Sequence, residues 1–158
     1  MGQKRDRAKW LKIYGHLYIK FGYRRNDDGL FGEQACAYCG TLANSTDHVP
    51  PLQWVYALGT EYFEAKKIAL LLVPACLECN ETLSSKRLFT LRERCSYLID
   101  RYSKKHNRLL RNTVWTSEEL DELGRTLRPK IESFAICQLS IDRRIQILEE
   151  NVRPPRMP

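Results

Sequence analysis

Cys36-Ala-Tyr-Cys39 and Cys76-Leu-Glu-Cys79 are two Cys-x-x-Cys turns, or knuckles, in a chain of 158 residues. Each such turn presents two sulfur atoms about 4 Å apart, the separation that tetrahedral coordination of a soft ion requires. We predict that the four thiolates together hold one structural zinc ion. The 36 residues between Cys39 and Cys76 make the interval longer than in a compact zinc ribbon. A further element is therefore inserted between the halves of the site.

Polar residues in and beside this interval carry chemistry that a structural zinc site does not need. An Asp47-His48 step lies between the knuckles, and Asn80 directly follows the last cysteine. Because Pro50 and Pro51 exclude a helix at that point, we expect His48 at a strand end or in a loop. Taken singly, His48 can be a structural histidine and Asn80 a polar residue at a helix start. Their combination between two knuckles favours a second centre.

The cysteine and apolar patterns indicate an intracellular protein. Four of the six cysteines fall in close-spaced pairs, which in a reducing compartment favours metal binding over disulfides. We expect Cys95 and Cys137 to be small buried apolar residues. The longest apolar run, at 68–75, is too short to span a bilayer, and no apolar stretch follows the N-terminal basic residues as in a secretory signal.

The net charge of +7 is unevenly distributed. Residues 1–25 carry +7, residues 26–98 carry −3 and residues 99–158 carry +3. A basic arm beside a mildly acidic centre is typical of a protein that binds a polyanion near a cation site, and nucleic acid is the obvious polyanion. A solubilising tail is the alternative. We predict that the cations of the arm contact backbone phosphates: Lys4, Arg5, Arg7, Lys9, Lys12, Lys20, Arg24 and Arg25.

Aromatic residues are interleaved with these cations: Trp10, Tyr14, Tyr18, Phe21 and Tyr23. Apolar side chains at 10, 14, 17 and 21 recur at helical spacing and predict a basic helix over 3–25, in one piece or bent near Gly15. We expect the aromatic stripe to pack on the domain while the basic face points outward. A turn follows at Asn26-Asp27-Asp28-Gly29.

The rest of the chain is mostly helical in pattern. Residues 53–67 are predicted to be partly helical with a break at Gly59, and residues 70–73 a short buried strand that Pro74 ends. Helical residues follow the second knuckle, with an apolar face at Leu88, Leu91, Cys95, Leu98, Ile99 and Tyr102.

Towards the C-terminus, Thr116 and Glu119 have the form of a capping box. A long helical pattern reaches Leu148, and Pro129 is predicted to kink it or divide it. We expect His16 and His106 to be solvated or to contact phosphate, and residues 153–158 to be disordered.

The order Cys-x-x-Cys, Asp-His, apolar strand, Cys-x-x-Cys-Asn resembles that of the HNH (His-Asn-His) endonucleases. The resemblance covers roughly residues 36–80 and includes the adjacency of Asp47 to His48 and of Cys79 to Asn80. It implies a ββα-metal motif, two short strands and a helix that clasp a divalent ion. In the zinc-bearing branch of the family, two knuckles brace this motif.

With helices on both sides of this motif, we expect an α+β, mainly helical chain. Its predicted regions are a basic arm at 1–28, the zinc-braced motif at 29–87, a helical region at 88–152 and the tail at 153–158. The helical region either packs over the ββα motif, which is too small to be stable alone, or docks a protein partner.

The resemblance also implies a role for each polar residue. Asp47 and Asn80 are expected to hold Mg²⁺ or Mn²⁺ through side-chain oxygens, which hard cations prefer. His48 is the expected general base that takes a proton from water, while Zn²⁺ remains structural. Where many relatives carry a Lys or a second His after this asparagine, the chain offers Ser84 and Lys86 as accessory residues.

The chain departs from the family at Leu70-Leu71-Leu72, where relatives carry the middle asparagine. In the family that asparagine orients the loop holding the histidine, a duty whose loss typically costs roughly tenfold or more. The sequence identifies no replacement.

These features lead us to expect a metal-dependent endonuclease that cleaves or nicks DNA with little sequence reading. One alternative is a non-catalytic, zinc-stabilised module that binds nucleic acid or protein. Another is a nuclease subunit that is active only with a partner protein bound at 88–152. Small proteins resembling this one occur in phages, mobile elements and bacterial defence systems, and the sequence does not choose among those settings.

Overall fold

The computed structural model describes residues 21–25, 35–112 and 115–153, and within them the chain is α+β and mainly helical, as predicted. Residues 3–20 of the basic helix predicted over 3–25 lie outside these residues, as do the predicted turn at 26–29 and the tail beyond 153. His16 and the six arm cations from Lys4 to Lys20 also lie outside them. The chain divides into two compact units, Met1–Arg94 and Cys95–Pro158.

A small sheet forms the centre of the first unit. Its strands are β1 (Arg24–Arg25), β2 (Ser45–Val49) and β3 (Leu71–Ala75), in the order β1-β3-β2. β2 and β3 are antiparallel and place His48 opposite Leu72, whereas β1 runs parallel to β3. His48 is the second-last residue of β2, which confirms its predicted place near a strand end.

Three short helices lie entirely within the described part of this unit: α1 (Leu52–Leu58), α2 (Thr60–Ala65) and α3 (Leu77–Leu83). The predicted break at Gly59 is confirmed, because this glycine has φ 80° and separates α1 from α2. Helix α3 begins directly after β3, so the two antiparallel strands are followed by a helix in the expected order.

The core of the first unit lies between the sheet and these helices. Fully buried side chains come from β2, β3, α1, α2 and α3: Val49, Val73, Val55, Phe63 and Leu83. The ring of Phe89 packs edge-to-face against that of Phe63, with 5.3 Å between the centroids. Along β2 the alternation of strand side chains sends Asp47 and Val49 inward.

Two predictions about local structure were wrong. Pro74 does not end the strand, because β3 continues to Ala75. The carbonyl of Pro74 accepts a hydrogen bond from the backbone N–H of Ala37, so its backbone faces away from β2 and no ladder donor is lost. Arg24 and Arg25 lie in a strand rather than a helix, since the backbone N–H of Arg24 donates to Leu70 O at 3.0 Å.

All the regular secondary structure in the described residues of the second unit is helical. Helix α4 (Leu91–Lys105) begins in the first unit, and α5 (Asn107–Leu110), α6 (Ser117–Asp121) and α7 (Arg128–Val152) follow. The capping box at Thr116 is confirmed, and Pro129 divides the pattern by lying in the first turn of α7.

Burial in this unit follows the prediction only in part. Cys95, Leu98 and Tyr102 of α4 are buried, as the apolar pattern predicted. Cys137 was predicted to be buried and is instead exposed on α7, since this part of the helix has little covering it among the described residues. For the same reason Phe134 is 56% exposed. In the described part of the chain, no helix is long and apolar enough to cross a membrane.

Candidate metal centre and adjoining groove

The four cysteines of the two knuckles meet in the first unit. Their sulfur atoms all lie within 4.8 Å of one another and are buried, and Cys39 Sγ lies 3.7 Å from Cys76 Sγ. Since a zinc–sulfur bond is about 2.3 Å long, the sulfurs of a tetrahedral site are separated by about 3.8 Å. The donor set therefore fits a zinc ion, which the four cysteines could hold.

The first knuckle is shaped by a tight backbone turn. Gly40 has φ 71°, a conformation that residues with a side chain rarely adopt, and its N–H donates to Cys36 O at 2.9 Å. The N–H of Cys36 donates to Thr41 O at 2.6 Å. These bonds point both sulfurs inward, where Cys39 Sγ also lies 3.1 Å from the hydroxyl of Thr41.

The second knuckle is the start of helix α3. Cys76 is its N-cap, and its sulfur accepts a hydrogen bond from the N–H of Cys79 at 3.4 Å. The side chain of Asn44 accepts a hydrogen bond from Leu77 N at 2.8 Å, which fixes this turn beside the residues before β2. Because adjacent helical residues point in different directions, Cys79 faces the sulfur cluster while Asn80 lies on the wall of a groove.

Contacts among the sulfurs perturb every thiol of the cluster. Hydrogen bonding with Cys36 raises the pKa of Cys79 and lowers that of Cys39. The pKa of Cys76 is lowered to about 6, chiefly by its hydrogen bond with Cys36. Four thiolates this close repel one another unless a cation lies between them, so the cluster is suited to binding one.

A groove with a volume of about 1000 Å³ lies on the other side of α3 and β2. Four of the predicted site residues line it together: Asp47, His48, Asn80 and Ser84. The side chains of Gln53 and Trp54 both donate to Ser85 O, which ties α1 to the loop after α3 at the groove's rim. Lys86, the other predicted accessory residue, is exposed and is not among the lining residues.

Asp47 is held in the interior by two side chains that the sequence does not single out. Its Oδ2 accepts hydrogen bonds from Tyr38 Oη at 2.5 Å and from Arg94 Nη1. Burial raises the pKa of Asp47, and the charge of Arg94 and the Tyr38 hydroxyl oppose that rise. Tyr38 could have been suspected from its place inside the first knuckle, but Arg94 lies 47 residues away and carries no local signal.

Arg94 is itself completely buried. Besides Asp47, it donates from Nε to Leu88 O at 3.2 Å, while its Nη2 has no partner among the described residues. A buried guanidinium of this kind is stable only when its charge is matched. Asp47 supplies that match.

His48 lies on the groove side of β2 and is half-buried. Burial lowers its pKa to about 4, and the charge of Arg94 adds to that effect. The imidazole is therefore neutral near pH 7 and can accept a proton. Its ring contacts that of Tyr23 edge-to-face, with 5.2 Å between the centroids.

Asn80 presents an oxygen to the same groove. Its Nδ2 donates to Ser45 Oγ at 3.2 Å and to Thr46 O at 3.3 Å, so the amide group is oriented by β2. Its Oδ1 accepts no hydrogen bond from any described residue. This oxygen is available to a ligand.

Other predicted residues lie elsewhere. Arg24 is exposed on strand β1 and is not among the residues that line the groove. Within the second unit, the ring of His106 stacks on that of Tyr102, at 6.2 Å between centroids.

Comparison of the chain with protein-family models, with curated proteins and with solved structures found no match in any of the three. We therefore base the functional assignment on the sulfur cluster and the groove beside it.

Proposed function

We propose that the groove is the active site of a metal-dependent, HNH-type endonuclease that hydrolyses phosphodiester bonds of DNA. One observation carries this proposal: Asp47, His48 and Asn80 line one groove beside the four-cysteine cluster. They are separated by up to 33 residues in the sequence. The ββα order of β2, β3 and α3 supports the same assignment.

His48 acts as the general base. Its neutral imidazole takes a proton from a water molecule, whose oxygen attacks phosphorus while the bond to the 3′ oxygen breaks. The half-buried ring borders a groove large enough for a nucleotide unit.

Asp47 and Asn80 would hold Mg²⁺ or Mn²⁺ through a carboxylate and an amide oxygen, the ligand types that such ions prefer. Once bound, the ion supplies charge stabilisation for the phosphate and the leaving oxygen. Tyr38 and Arg94 orient the carboxylate, and β2 orients the amide. Ser84 is placed to contribute a hydroxyl at the same wall.

The zinc ion has a structural role in this proposal. Four thiolates fill its coordination sphere and leave no open position for water or substrate. The cluster fixes the start of α3 against the residues before β2, and this places Asn80 in the groove that His48 also lines.

Magnesium-dependent nicking of plasmid DNA tests this proposal. Wild-type protein that retains its zinc should nick DNA when Mg²⁺ is supplied and should stop when Mg²⁺ is omitted. Asn80→Ala should be inactive, whereas Asn107→Ala, an exposed asparagine in the second unit, should match wild type. Nicking by Asn80→Ala at the wild-type rate would overturn the metal assignment.

A non-catalytic, zinc-braced module is the second candidate, and the Asp47–Arg94 pair favours it. Arg94 already neutralises the carboxylate of Asp47, which in the nuclease hypothesis binds the metal ion. Under this reading the protein binds DNA with the same affinity with and without Mg²⁺ and never cleaves it.

Exposed apolar side chains on α7 favour a third hypothesis, in which the protein is a nuclease subunit that is active only with a protein partner. Phe134, Ile136 and Leu139 are each more than half exposed. A purified chain that is inert alone and nicks DNA with a co-purifying protein would support this reading.

A further inference from the structure

The position opposite His48 in the sheet is occupied by an apolar side chain. His48 of β2 pairs with Leu72 of β3, and Leu72 lines the same groove. A leucine has no donor for the loop that follows β2 and no polar atom to fix the imidazole. Another side chain must restrict this loop if the imidazole is to keep one orientation.

We propose that Tyr23 is the residue that positions His48, an inference that rests on the proposed nuclease function. Its hydroxyl donates to Pro50 O at 2.6 Å, two residues after the histidine. Its ring meets the imidazole edge-to-face at an interplanar angle of 80°. One side chain thus fixes both the backbone after β2 and one face of the base.

Strand β1 explains how Tyr23 reaches this place. Arg24 pairs with Leu71 in a parallel ladder, and its N–H donates to Leu70 O at 3.0 Å. Tyr23 directly precedes this strand and is therefore held beside the sheet. Gly22, with φ 68°, turns the chain just before it. The short strand that the sequence did not predict is the element that delivers this side chain.

Pro50 makes the hydrogen bond effective as a restraint. Pro50 is fully buried and Pro51 caps α1, so the carbonyl that accepts from Tyr23 belongs to a rigid connection between β2 and α1. Removing the hydroxyl frees that carbonyl, and removing the ring frees the imidazole. Tyr23 is a positioning residue because it reaches His48 and its loop and does not line the groove.

Loss of a group that orients a catalytic side chain typically lowers activity about 10- to 100-fold. We therefore expect Tyr23→Phe, which keeps the ring, to lower kcat about tenfold with KM unchanged. Tyr23→Leu should lower kcat further. Tyr56→Leu, a matched change of an exposed tyrosine on α1, should leave both constants at their wild-type values.

The imidazole resonances of His48 provide a readout that does not depend on cleavage. They can be assigned by their loss in His48→Ala, since the chain has three histidines. We expect them to shift in Tyr23→Phe and to shift more in Tyr23→Leu, while zinc content stays at the wild-type level. Unmoved resonances, or a wild-type kcat in Tyr23→Phe, would overturn the positioning role. If wild type itself does not cleave DNA, the proposed function fails, and the resonances alone decide whether Tyr23 orients His48.

Discussion

Asp47 and His48 are neighbours with different environments. Asp47 is buried and accepts hydrogen bonds from Tyr38 and Arg94, whereas the imidazole of His48 is only half-buried, although both residues line the groove. Burial lowers the pKa of His48, and the charge of Arg94, which also pairs with Asp47, adds to that effect. A single buried cation therefore acts on both neighbours: it pairs with the carboxylate of Asp47 and adds to the effect of burial on His48.

Replacing this cation should be costly. Arg94→Met leaves the Asp47 carboxylate buried without its partner, and breaking such a pair destabilises a protein by about 3–5 kcal/mol. Denaturant unfolding monitored by circular dichroism measures the loss, with Arg92→Met, an exposed arginine on the same helix, as control. The double variant Arg94→Met with Asp47→Asn should lose less than the sum of the two single changes. Additive losses would show that the pair is not coupled.

The residues of the groove differ in how far sequence can predict them. Asp47 and His48 lie just before two prolines, and Asn80 directly follows a knuckle. Their positions in the sequence are therefore enough to identify them as candidate site residues. Arg94 and Tyr23 gain their roles only from tertiary contacts with Asp47 and Pro50. No local pattern encodes those contacts.

At the scale of elements, the predictable parts are those with local causes. Gly59 separates two helices because of its backbone conformation, and Thr116 caps α6 through its own side chain. Strand β1 could not be predicted, because two arginines have no intrinsic strand preference and become extended only by pairing with β3. The exposure of Cys137 could not be predicted either, because it is set by tertiary packing: few of the described residues cover this part of α7.

The knuckles should be essential to the first unit. Among its described residues, the sheet has two strands of five residues and one of two, and a metal ion is one of the ways in which a small core gains stability. Cys76→Ser should release zinc and abolish cooperative unfolding of the first unit, measured by a zinc indicator and circular dichroism. Cys137→Ser, which changes an exposed cysteine outside the cluster, should retain one zinc per chain. Full zinc content in Cys76→Ser would contradict the four-thiolate site.

At the scale of the whole molecule, charge governs how DNA would be held. The net charge of +7 equals that of residues 1–25 alone, while residues 26–98 are mildly acidic. Steering by such an arm depends on salt, because each phosphate contact releases counterions. In the proposed function, the arm would bind DNA and the groove would hydrolyse the phosphodiester bond.

Substitution of arm cations should therefore weaken the salt dependence of DNA binding. Changing Lys4, Arg5 and Arg7 to glutamine should reduce the slope of log affinity against log salt by about 2–3. A matched triple change in the second unit, Arg125, Lys130 and Arg143 to glutamine, should leave the slope unchanged. Equal slopes for the arm variant and wild type would assign DNA binding to another surface.

The most direct test of the account is the nicking rate of His48→Ala with Mg²⁺ present and zinc content measured in the same samples. We expect one zinc per chain, a wild-type circular dichroism spectrum and a rate at least about 100-fold below wild type, because the proposed general base has been removed. A zinc-loaded, folded His48→Ala protein that nicks DNA at the wild-type rate would contradict it.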